Sequence, residues 1–113
     1  MKKGLRWSLL LVLGLGFGAF GADKKAERTF NAKCGSCHGK DGKAQTEKGQ
    51  QMKMRDMGSE EFQKATDEEM KKTITEGFKK QKDGVKQEMD PFKDELKPEE
   101  IDAMVQLVRG FKK

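Results

Sequence analysis

The chain's two cysteines and its sole histidine fall within five consecutive residues, Cys34-Gly35-Ser36-Cys37-His38. That cluster constrains the fold more than any other feature, because the rest of the sequence supplies little from which to build a core. With 113 residues, the chain is one domain at most. Past residue 22 its aromatics are Phe30, Phe62, Phe78, Phe92 and Phe111; there is no tyrosine, and Trp7 lies near the start. Charged residues (38%) outnumber hydrophobic ones (34%), a composition that leans toward disorder unless something adds apolar contact. A chain of this size buries only a modest core unaided. Something other than side chains should fill the centre, and the cluster is where it would attach.

A C-x-x-C-H sequence suits one attachment chemistry well. Two thiols separated by two residues can reach vinyl groups on adjacent pyrroles of a haem and become thioethers. The imidazole that follows then lies over the ring plane, where it can bind iron. The competing chemistries ask for features this chain lacks. A dithiol oxidoreductase of the thioredoxin kind needs a βαβ pattern. A structural zinc site needs four ligands, and only Cys34, Cys37 and His38 are on offer. A plain disulfide between Cys34 and Cys37 stays open to an exported chain. Covalent haem on Cys34 and Cys37, with His38 as the proximal iron ligand, uses all three residues.

Export is indicated by the first segment. Lys2, Lys3 and Arg6 precede an apolar run from Ser8 to Phe20, and Ala19-Phe20-Gly21 supplies small residues for cleavage. We expect residues 1–22 to be a signal peptide, cut after Gly21 or Ala22, and residues 23–113 to be the working domain, in the periplasm. The apolar run is short for a spanning helix and is interrupted by glycines, so no membrane span is expected in the mature chain. Cleavage takes three of the 24 basic residues and none of the 19 acidic ones, so the net charge falls from +5 to +2. That is too weak for a nucleic-acid-binding domain.

Helical signals dominate the remainder. Ala26, Phe30 and Cys34 recur every four residues over a short helix at 24–34. Gly39, Gly42 and Gly49 mark a long loop, and Ser59 can cap a brief helix carrying Phe62. Thr66-Asp67-Glu68-Glu69 is a capping box ahead of a helix lined by Met70, Ile74 and Phe78 and ended by Gly77. Residues 79–97 read as loop, with Asp83-Gly84 as a turn and Pro91 as a breaker. Pro98, Glu99 and Glu100 open a last helix whose stripe is Ile101, Met104, Val105 and Val108, widened by Leu107 and Phe111. No segment alternates as a strand, so the expected class is all-α.

With no second histidine, a methionine is the natural sixth ligand for the iron. The choices past residue 22 are Met52, Met54, Met57, Met70, Met89 and Met104. Met70 and Met104 sit on apolar helix stripes, as core methionines do. Met52, Met54 and Met57 crowd a polar segment soon after the cluster. Met89, in the loop two residues before Pro91, is the expected distal ligand.

These pieces together resemble a class I c-type cytochrome of the small monohaem bacterial periplasmic type. The resemblance spans the chain past the signal. It runs through Phe30-x-x-x-Cys34-x-x-Cys37-His38-Gly39, the Thr66–Glu69 helix start, Ile74-x-x-Gly77, Met89-Asp90-Pro91-Phe92 and the helix from Glu99 to Arg109. It implies a cytochrome c-like fold of three to four helices wrapped around one covalent haem c. It also implies that the first and last helices cross through Ala26 and Phe30 against Met104 and Leu107, with iron between His38 and Met89. Three features depart from the pattern. No proline lies between His38 and Met89, so another backbone carbonyl is expected to hold the second imidazole nitrogen. The family's aromatic near Leu107 is missing. So is its Trp or Tyr at a haem propionate, leaving Arg55 or a nearby lysine for that role.

The function implied is one-electron transfer between redox partner proteins, such as other cytochromes and membrane or periplasmic reductases and oxidases. The chain would act as a monomer and not as an enzyme. Two alternatives stay open on sequence: a haem protein whose open sixth position binds or senses a small gas, and the C-x-x-C dithiol oxidoreductase.

Overall fold

The computed structural model describes residues 19–113; most of the expected signal peptide, residues 1–18, lies outside them. Along the described chain the elements are α1 (Ala19–Lys33), α2 (Gly35–His38), α3 (Glu47–Gln51), α4 (Glu60–Gln63), α5 (Asp67–Glu76), β1 (Phe78–Lys82), β2 (Val85–Met89) and α6 (Pro98–Arg109).

The core forms where α1 and α5 both pack on α6. The stripe on α6 turns Ile101, Met104, Val105 and Val108 inward, and α1 meets it with Ala26 and Phe30. Phe30 and Val105 are the most completely enclosed side chains; burying each stabilises the fold by roughly 1.5–3 kcal/mol. The Phe30 ring leans on Phe111 with centroids 5.4 Å apart, so the end of the chain closes over the first helix. Met57, Met70 and Leu96 complete the cluster.

Local signals set the ends of these helices. The Thr66 hydroxyl accepts the Glu69 N–H (3.1 Å) while the Glu69 carboxylate accepts the Thr66 N–H (2.7 Å), which is the expected capping box. Ser59 accepts the Phe62 N–H to start α4. Arg109 then locks the α4–α5 corner to the end of α6. Its guanidinium donates to the carbonyls of Ala65 (2.6 Å) and Gln63 (2.8 Å) and to the Asp67 carboxylate (2.9 Å).

An all-α chain of three to four helices is not what forms. Six helices and an antiparallel hairpin are present among the described residues, with Phe78 opposite Met89 and Lys82 opposite Val85. The cause is in the turn. Asp83 and Gly84 both take positive φ (53° and 74°), the two-residue geometry whose twist matches paired strands. All five residues of β1 are exposed, so the strand has no buried face to print an alternating pattern on the sequence. Phe78 is not on the α5 stripe: it opens β1 and is 39% exposed. Gly77, with φ 67°, ends the helix just before it, and any Cβ there would run into the Met89 carbonyl. The stretch expected as a long loop after His38 also holds a short helix, α3, capped by the Thr46 hydroxyl.

Candidate functional site

One helical turn assembles the cysteine–histidine cluster. The Cys34 N–H still donates to the Phe30 carbonyl (2.7 Å), continuing the path of α1, and the Cys34 carbonyl accepts from His38 (2.9 Å) and Cys37 (3.3 Å). Residues three and four apart on such a turn share a side, so Cys34, Cys37 and His38 all line one side of α2. Gly39, at φ 78°, stops the helix immediately after the histidine. The segment behind is fastened to the turn. Ala44 N–H donates to the His38 carbonyl (2.8 Å) and the Thr46 hydroxyl to the Cys37 carbonyl (2.6 Å). Gly49 of α3 sits so close that a Cβ would collide with the Ala44 and Cys37 carbonyls.

Burial sets the protonation of these groups. Desolvation pushes the His38 imidazole down to about 4, so it is neutral near pH 7 and keeps a lone pair for a metal. Desolvation pushes the Cys34 thiol up to about 11, against the pull of Lys33 and with a small push from Cys37. A raised thiol is the opposite of what an attacking dithiol needs. Among the described residues, no three His, Cys, Asp or Glu side chains converge as an ion site.

The donor set fits a haem c: two thiols at thioether spacing, a neutral imidazole beside them, and half-buried apolar side chains of Ile74, Phe92 and Leu107 packed on the core. One expected contact is not made. His38 Nδ1 is buried with no hydrogen-bond partner among the described residues, where a backbone carbonyl is expected. An unpaired buried polar group of this kind costs about 1–3 kcal/mol. Two surface depressions, about 490 Å³ beside Lys112 and Lys113 and about 320 Å³ beside Ala26 and Leu107, do not include the cluster. The chemistry of the donors, not the depth of a hollow, marks the site.

The methionines divide by burial. Met70 and Met104 are core, as their stripes predict, and so is Met57, whose polar neighbours hide its role. Met52, Met54 and Met89 are half-buried. Met89 is not part of the turn at 34–38; it ends β2. The chain beyond it is fastened to the last turn of α5, where Phe92 N–H donates to Ile74 (2.9 Å) and Lys93 N–H to Thr75 (3.2 Å). Arg55 lies over the Phe62 ring (5.3 Å) and faces Glu61 at 3.7 Å.

The residue that sequence reasoning misses is Gln87. Among the described residues it is the one polar residue buried as a whole, and its amide nitrogen donates to the carbonyls of Met52 (2.6 Å) and Lys53 (3.2 Å). Its position two residues before Met89, on the same strand face, is the signal that could have found it.

Comparison with known proteins agrees with the chemistry. The family model described as cytochrome C oxidase, cbb3-type, subunit III matches residues 21–108. Three solved chains match. Among them the KustC0563 c-type cytochrome is 37% identical, with 78% of this chain and 98% of that chain covered and a TM-score of 0.64. No curated protein matches.

Proposed function

This chain belongs to the family of cytochrome C oxidase, cbb3-type, subunit III, and so to the c-type cytochromes, haem-based electron carriers; from that premise we propose that it is a one-electron shuttle carrying a single haem c. Cys34 and Cys37 would hold the haem as thioethers, and His38 and Met89 would be its iron ligands. When bound, the haem would supply the one-electron ferric–ferrous chemistry.

The chain's own residues do the rest. The α2 turn fixes the spacing of both sulfurs and keeps the imidazole neutral. With His38 and Met89 both given to the metal, the chain would keep the same ligands in either redox state, which suits a carrier better than an enzyme. Ile74, Phe92 and the core behind them exclude water, which tunes the potential. We further read residues 1–22 as a cleaved signal peptide and residues 23–113 as a monomeric periplasmic domain passing electrons between redox proteins. No helix among the described residues is long and apolar enough to cross a membrane.

The observation that carries this reading is the single turn that lines up Cys34, Cys37 and His38 in a chain of this family. The test is a denaturing gel stained for haem. The exported protein should give a coloured band near its mature mass, and Cys37→Ala should lose most of it. Haem that acid acetone extracts from the wild type would overturn the covalent assignment.

A further inference from the structure

We propose that Gln87 is a positioning residue that holds Met89 in place by tying strand β2 to the helix behind the cysteine–histidine turn. The inference rests on Met89 as the distal ligand.

A continuous set of hydrogen bonds joins the two ligand-bearing regions. The Thr46 hydroxyl donates to the Cys37 carbonyl at 2.6 Å and accepts the Gly49 N–H at 2.9 Å, so α3 starts from the turn itself. Just past the far end of α3 lie the Met52 and Lys53 carbonyls, which have no further helix to bond to. The Gln87 amide nitrogen donates to both, at 2.6 and 3.2 Å. Gln87 and Met89 lie on the same face of β2, so an anchor at one sets where the other points. Beyond Met89 the chain is fixed again by Phe92 and Lys93 on α5. Met89 is thus held by an anchor two residues before it and another three residues after it. The opposite strand pairs with β2, Phe78 facing Met89, but every residue of β1 is exposed, so it ties β2 to no buried part of the molecule.

Removing the upstream anchor should let Met89 leave the iron more often without altering the haem attachment. Gln87→Leu keeps the side-chain volume and deletes both donors. Imidazole titration of the ferric holoprotein reads the effect, because imidazole binds only when the methionine is displaced. Gln87→Leu should bind imidazole on the order of 10-fold more tightly, as a larger open population requires. Thr46→Val, which cuts the other end of the path, should move affinity the same way by less, and serves if Gln87→Leu does not fold. Met70→Ala, a core truncation, should lower the melting temperature with imidazole affinity unchanged. Met89→Ala separates the two ideas. If it fails to tighten imidazole binding, the distal ligand lies elsewhere and this inference falls with it. If it tightens binding while Gln87→Leu and Thr46→Val lose only thermal stability, Met89 stands and Gln87 is merely structural.

Discussion

The turn at 34–38 and the hairpin at 78–89 present their proposed ligands in opposite ways. In the turn, three functional side chains are neighbours in sequence, and one helical repeat brings them to one side. Its backbone bonds are local, and the segment behind it closes on it through Ala44 and Thr46. In the hairpin, Met89 is the only proposed ligand, and the strand that carries it has almost no core of its own. Position there comes from a tight turn and from bonds to residues about 35 places earlier. A site can therefore be half fixed by local geometry and half by a long-range tether. The first half should be lost all at once, and the second by degrees.

The largest effect belongs to the turn. His38→Ala should abolish stable holoprotein, because no other histidine exists to take its place. Haem staining of the exported fraction checks this; a normally matured, six-coordinate variant would mean that the proximal ligand is not His38.

Met89→Ala should be milder in kind. Covalent haem stays, since Cys34, Cys37 and His38 remain. The weak far-red band of ferric methionine-ligated haem should vanish, the potential should fall, and the reduced protein should bind carbon monoxide. Met57→Ala supplies the contrast. Met57 is 6% exposed in the core, so truncation should cost about 2–5 kcal/mol in urea unfolding and leave the far-red band in place. A far-red band that disappears with Met52→Ala or Met54→Ala, and survives Met89→Ala, would move the distal ligand out of the hairpin.

The same contrast explains what was legible in the sequence. The cluster could be read because its chemistry and its spacing are contiguous. The cap at Thr66, the Pro98 start and the α6 stripe could be read because helix ends and faces are written within a few residues. The hairpin is not legible from periodicity: Phe78 to Lys82 has no inner face, and the four-residue step from Ile74 to Phe78 matches a helical stripe although Gly77 ends the helix between them. Asp83-Gly84 is legible as a turn, but a turn dipeptide alone does not say that the segments on either side pair as strands. Met57 and Gln87 were hidden for a related reason. Each is buried by contacts from distant parts of the chain, which leave no mark on their neighbours in sequence.

The smallest effect tests whether charge holds the hairpin. Glu88 sits across from Lys79 (3.4 Å) and beside Lys86 (3.6 Å), and its carboxyl is held below the usual range, first by the Lys79 hydrogen bond and attraction and then by Lys86. A depressed carboxyl contributes stability that is fully present above its unfolded value, about 4.3, and is lost as pH falls through the lower folded value. Urea midpoints of the wild type should therefore drop between about pH 5 and pH 3 slightly more than those of Glu88→Gln, the two curves converging at the acid end. The difference should be small, because exposed ion pairs contribute little. The consequence for the site is sharper than the energy. If a buried amide and a tight turn hold Met89, Glu88→Gln should leave imidazole affinity unchanged at neutral pH while Gln87→Leu raises it. Equal effects from the two would mean that the tether to α3 does no more than surface charge to keep the methionine in place.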